Sequence, residues 1–225
     1  MQINPVKNCN NYNKNIAFNG QHLYSLNLLR TLSDGTKEKV PAIFTKLVEK
    51  NTEDLNIIEN IEKLWADNTV YGEKIIKNFK EHFNSDKFYL CMPDFYAIEC
   101  PQFKNLGEKI RAIVEVNEDW GYRHPICKID WLQSASQINS IEKLEGAGIN
   151  IIGGLLKRAI DYGFSSLSLT SASDSVDFYK KIGFTKAIFS RYKHEYLITA
   201  QNFRNVLMQI EDKYGKFLPI RKNGN

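Results

Sequence analysis

The residues in this chain best placed for chemistry lie on the backbone of one turn. Lys143-Leu-Glu-Gly146-Ala147-Gly148-Ile149-Asn150 opens an apolar run with helical spacing that continues to Tyr162. Glycines at 146 and 148 let backbone N–H groups come close to a ligand where a helix begins. The first turn of a helix carries unpaired donors and a partial positive charge, so a phosphate suits that place. The Gly-Lys-Ser/Thr ending of a P-loop is missing and no acidic cluster for Mg²⁺ accompanies the glycines, so the amides themselves would hold the anion. Taken singly, the glycines could equally cap the helix or shape a loop. Further on, Phe178-Tyr179-Lys-Lys-Ile-Gly183-Phe184 puts a phenol on a short helix, where its plain reading is a half-buried aromatic. Metal chemistry is not indicated, because Cys9, Cys91, Cys100 and Cys127 are scattered and the four histidines do not cluster with them. A disulfide framework is not expected at this size either, and Cys127 reads as a small core residue.

These residues need elements to position them. A strand-like run, Ile126–Gln133, precedes the glycine turn, and a second short strand, Leu167–Thr170, follows its helix. The phenol sits on the helix after that. Upstream, Leu23–Leu32 reads as the first strand, ended by the turn Ser33-Asp34-Gly35. From Lys39 the spacing of Val40, Ile43, Phe44, Leu47 and Val48 predicts a helix, with Pro41 tolerable in its first turn. Asn51 and Thr52 offer an N-cap for the next helix, whose apolar face is Leu55, Ile58, Ile61, Leu64 and Trp65. A third helical segment runs over 72–83. Strands are predicted at Phe88–Met92, Phe95–Cys100 and Lys109–Val116, with a turn at Asn117–Gly121. The class is mixed α/β.

A strand, an R/Q-x-x-G-x-G/A turn opening a helix, a strand and then F-Y-x-x-x-G-F resembles the GNAT superfamily, the acyl-CoA-dependent N-acyltransferases. Lys143 stands where that family usually has Arg or Gln, and the block from Phe178 to Phe184 matches without change. The stretch concerned, 126–200, is a third of the chain. The resemblance implies a GNAT-like fold: a central mixed, mostly antiparallel sheet, splayed between its fourth and fifth strands and flanked by helices. It implies acetyl-CoA as co-substrate and an amine of unidentified kind as acceptor. It places the pantetheine arm on the backbone of Trp131, Leu132, Gln133 and Ser134, and the pyrophosphate on the amides of Gly146, Ala147, Gly148, Ile149 and Asn150. Tyr179 would give a proton to the leaving thiolate, its phenol being protonated at neutral pH. Asp130 and Glu115 are the base candidates from the strands that face substrate, with Glu118 and His124 further out.

The chain also departs from the family pattern. The link 134–145 is longer than usual, and Ala172 replaces an Asn often found seven residues before the tyrosine. Glu142 and Glu145 lie close to the expected pyrophosphate, and aligning on Leu155-Leu156 would move the turn to Gly148-Ile149-Asn150. Extra helix near 45–83 could serve acceptor specificity or packing.

Whole-chain properties set the remaining expectations. A net charge of +4 on 225 residues is too mild to argue for nucleic acid, which is not expected as a partner. No apolar run approaches the ~20 residues of a membrane span, and Met1–Lys7 has no hydrophobic signal core. The default home is therefore cytoplasmic, and a homodimer stays open. Residues 1–21, rich in Asn and Lys, are expected as an arm. Residues 22–215 are expected as one acyltransferase domain and 216–225 as a tail. The activity expected is N-acyl transfer, most simply acetyl transfer to a primary amine. The alternative is a GNAT-like module that binds acyl-CoA or a protein partner without turnover.

Overall fold

The computed structural model describes residues 21–48, 51–65, 69–83, 93–119, 125–138, 142–188 and 194–220. The predicted strand Phe88–Met92, His124, and almost all of the N-terminal arm lie outside these residues.

Alternating burial builds the first half of the sheet. Strand β1 (Gln21–Thr31) buries Tyr24, Leu26 and Leu28, turns at Asp34-Gly35, and pairs antiparallel with β2 (Lys37–Leu47). Gly35 adopts φ +81, and Asp34 Oδ1 accepts from the Thr36 N–H at 2.9 Å. The helix predicted from Lys39 is therefore a strand. Val40, Ala42 and Phe44 point into one core, while Leu47 points into the other. Pro41 is exposed and sits beyond the overlap with the next strand, where β2 is locally an edge and its missing N–H costs nothing.

Two helices follow, α1 (Thr52–Trp65) and α2 (Val70–Phe83). Ile57, Ile58, Ile61 and Trp65 of α1 and Ile75, Ile76 and Phe79 of α2 cover one face of the sheet, against Phe95, Ala97, Ile110 and Ile113. Those sheet residues come from β3 (Asp94–Glu99) and, after the single turn α3 (Leu106–Lys109), from β4 (Ile110–Asp119). The turn predicted at Asn117–Gly121 is strand in its described part: β4 runs through Asn117–Asp119, because these residues pair with Ile126–Lys128 of β5 (Ile126–Ser134).

The glycine turn then leads into α4 (Ala147–Tyr162), followed by β6 (Ser166–Thr170) and α5 (Val176–Ile182). The chain closes with β7 (Thr185–Lys186), β8 (Glu195–Thr199), α6 (Ala200–Tyr214) and β9 (Leu218–Pro219). α4 and α6 cover the other face of the sheet through Ile151, Ile152 and Leu155 and through Phe203, Leu207 and Ile210. Among the described residues the strand order is β7-β8-β6-β5-β4-β3-β2-β1-β9, and only β5 and β6 are parallel neighbours. Phe217 is buried and Leu218–Pro219 pairs with Tyr24 and Ser25, so ordered packing continues past 215, where a tail was expected to begin. Among the described residues, no helix is long and apolar enough to cross a membrane.

Candidate functional site

β5 changes partners along its length. Ile126–Ile129 pair with Ser166–Leu169 of β6, and there the pairing stops. On the other side, Trp131–Ser134 continue to pair with Ala112–Glu115 of β4, past a register shift at which Asp130 is the extra residue. A bulge of this kind bends the strand. The second half of β5 therefore has a neighbouring strand on one side only, and the sheet opens between β5 and β6. This is the splay expected between the fourth and fifth strands. The two strands are those predicted at Ile126–Gln133 and Leu167–Thr170, and in this chain they are the fifth and sixth.

A cleft of about 950 Å³ fills the opening. Its walls include Asp130–Ser134 from β5, Gly146–Ile149 from the start of α4, and Phe178 and Tyr179 from α5. The two glycines differ in what holds them. Gly146 caps α4 in a left-handed conformation, φ +100, and a Cβ there would meet the Tyr214 ring at 2.3 Å. Its reason is the fold. A Cβ on Gly148 would meet only Ser134 Cβ at 3.8 Å and Phe178 Cζ at 3.9 Å, which is ordinary contact at the edge of the cleft. The amides of Ala147, Gly148 and Ile149 belong to the first turn, which has no carbonyl one turn back to receive them. Asn150 is not with them. Its N–H bonds Gly146 O at 2.8 Å, and its side-chain amide, fully buried, donates to Gly146 O and to Asn27 O. The turn thus stands at Gly146, not in the register shifted to Gly148.

Charges near this turn are matched. Glu145 exchanges two backbone hydrogen bonds with Leu29, at 3.1 and 2.8 Å, which tie the turn to β1. Its carboxylate receives Lys213 from α6 and Lys37 from β2, and hydrogen bonds from these two hold it below the usual carboxylate range. Glu142 is paired with Arg30. The repulsion expected from two glutamates near an anion is therefore largely cancelled, and Lys213 itself lines the cleft. Gln133 is buried and donates its side-chain amide to Ser134 O at 3.0 Å, so that carbonyl is already engaged.

The base candidates separate cleanly. Asp130 lines the cleft, receives a hydrogen bond from Asn117 and pairs with Lys128 at 3.1 Å. Glu115 does not line it. It is buried beneath α2 with Asn78 donating at 2.8 Å, and burial pushes its carboxyl up. Glu118 is closed in a two-point pair with Arg158, at 2.7 and 2.8 Å, and also accepts from Tyr96. Tyr179 is half-buried, its ring edge-on to Phe178 and Phe184. Burial, and after it the neighbouring Tyr71 phenol, pushes its hydroxyl up to about 12. The hydroxyl therefore keeps its proton at any ordinary pH.

Sequence reasoning missed Tyr71 of α2 and Lys213 and Tyr214 of α6, which also line the cleft. None of the three lies in a motif, and all reach the site only through packing of distant segments.

No protein-family model and no curated protein matches the chain. Among solved structures it is similar to a protein from Desulfovibrio desulfuricans assigned to the GNAT family of acetyltransferases, at 11% identity over 70% of this chain and 98% of that one, TM-score 0.47. It is also similar to the KacTA–DNA complex, at 12% identity over 61% and 86%, TM-score 0.45. A third likeness is to AtaTR bound with AcCoA, at 11% identity over 51% and 71%, TM-score 0.40. The KacTA structure holds DNA. By its own strand order, the opening between β5 and β6 and the glycine turn that starts α4 beside it, the chain has a GNAT-like fold.

Proposed function

We propose that this chain is an N-acyltransferase that moves an acetyl group from acetyl-CoA to a primary amine by direct attack. The supporting observation is the one-sided pairing of Trp131–Ser134 beside the first turn of α4, both lining one cleft. These residues fit the cofactor. An open strand edge can take an extended amide chain as an added strand, and the amides of Ala147, Gly148 and Ile149, with Lys213 alongside, suit a pyrophosphate. Acetyl-CoA would supply the activated thioester. The chain's own part is to hold that arm along β5, to take the amine's proton at the Asp130 carboxylate as its nitrogen bonds the carbonyl carbon, and to deliver a proton from the Tyr179 hydroxyl to the sulfur as the C–S bond breaks.

A second reading, binding of acyl-CoA without turnover, is favoured by the state of the carboxylates. Glu118 is closed by Arg158, Glu115 is buried, and Asp130 already has two partners. Product formation separates the two readings.

The test is a thermal-shift titration with acetyl-CoA, followed by release of free CoA thiol across a panel of amines. Wild-type protein should gain about 2.7 kcal/mol at a hundredfold excess over the dissociation constant. Gly148→Val should fold, since its Cβ meets only ordinary contacts, and should lose the shift because its methyl groups enter the cleft. A wild-type protein with no shift would reject the cofactor site. A shift without thiol release on any amine would select the binding module.

A further inference from the structure

Among the described residues that line the cleft, Tyr71 alone comes from the two helices on the opposite face of the sheet. Its ring stacks on Trp131, with centroids 5.6 Å apart and planes at 26°. Lys74, one turn along α2, places its ammonium 4.8 Å from the Trp131 ring centre. Tyr71 remains 37% exposed, so a ring face or edge is available to a ligand. Tyr71 and Tyr179, from α2 and α5, both line the opening, and the turn that suits phosphate lies beside Ser134, the last residue of β5.

We propose that Tyr71 is a specificity-determining wall for the acceptor, and that the acceptor is a monoamine carried on an aromatic or flat apolar body. The inference rests on the acyltransferase reading for the identity of the ligand. Exposed aromatic rings favour a flat apolar partner by offset or edge-on packing. The charges nearby work against a polyamine. Lys74 and Lys128 flank this end, and the Asp130 carboxylate is already matched by Lys128 and Asn117. A second ammonium would meet like charge, and the carboxylates among the described residues that line the cleft, Asp130 and Glu145, are already matched.

The test uses calorimetric titration of phenethylamine and of spermidine into wild-type, Tyr71→Phe and Tyr71→Ala protein, each with and without saturating CoA. Phenethylamine should bind Tyr71→Phe within about twofold of wild type, because the ring is kept, and Tyr71→Ala about tenfold more weakly. Spermidine should bind wild type more weakly than phenethylamine. A melting temperature that falls in Tyr71→Ala with unchanged phenethylamine affinity would make Tyr71 a brace for α2 and overturn the proposal. So would tighter binding of spermidine, or no binding of phenethylamine to wild type. The CoA-free arm keeps this outcome separate from the cofactor question: loss of any CoA effect removes the acyltransferase reading, while dependence of phenethylamine binding on Tyr71 is still read directly.

Discussion

Tyr179 lines the cleft, and its hydroxyl, raised by burial, keeps its proton throughout the ordinary pH range. Tyr179→Phe keeps the ring against Phe178 and Phe184 and removes only the proton. Turnover should fall by about 10²-fold or more, with the acetyl-CoA thermal shift within error of wild type. The pH dependence follows from the direction of the shift. A phenol raised to about 12 does not lose its proton between neutral pH and 10, so no alkaline limb from this group should appear in that range. An alkaline loss of kcat near 10 that vanishes in Tyr179→Phe would contradict the burial seen here. Full turnover in the variant would make the hydroxyl a packing feature.

At the scale of elements, β4 and α4 are joined by the Glu118–Arg158 pair, which is nearly buried and has two direct hydrogen bonds. Tyr96 of β3 donates to the same carboxylate at 2.9 Å. Burial pushes the Glu118 carboxyl up, but the hydrogen bonds and charge of Arg158 outweigh it and hold the group below its usual range. A depressed carboxylate contributes stability that is present above its unfolded pKa of about 4.3 and is lost as pH falls through its folded value. Glu118→Ala strands a buried guanidinium and should cost about 3–5 kcal/mol at pH 7 in urea denaturation. The difference between wild type and variant should shrink as pH is lowered below about 4. A gap that stays constant into acid would show that lost packing, not the ion pair, sets the cost.

At the scale of the whole molecule, the described residues form one sheet with a helical layer on each face, and the cleft lies where β5 and β6 part. Its far edge is closed by the last described residues. Phe217 is 3% exposed and lies against Gly153, where a Cβ would come within 2.5 Å of the ring, and β9 pairs with β1. Gly153 belongs to α4, whose N-terminus forms one wall of the cleft, so the end of the chain braces the helix that carries the turn. Phe217→Ala should destabilise by about 3–5 kcal/mol, as for other buried aromatics. It should weaken acetyl-CoA binding much less than Gly148→Val does. A near-neutral effect on stability would mean that residues after 215 are the tail expected from the sequence.

Much of the cleft was legible in the sequence because its signals are local. Gly146 and Gly148 before a helix-spaced apolar run, and Phe178-Tyr179 before Gly183, locate α4 and α5 without knowledge of anything far away. The predicted strands at 126–133 and 167–170 were similarly marked by short β-rich runs. β2 was not legible, because Val40, Ile43, Phe44 and Leu47 satisfy a helical period as well as a two-faced strand does. Pairing with β1 on one side and β3 on the other decided between them. Glu115 and Asp130, both acidic and close in sequence, looked equivalent until a bulge and the packing of α2 buried one and left the other at the cleft. Lys213 and Lys37 neutralise Glu145 from segments far away in the chain, and Tyr71 reaches the site from the opposite face of the sheet. Residue type and periodicity determined which elements the chain makes. Which charges cancel, which strand edge stays open and which side chains share a cavity depend on contacts between residues distant in sequence, and only the tertiary structure decided those.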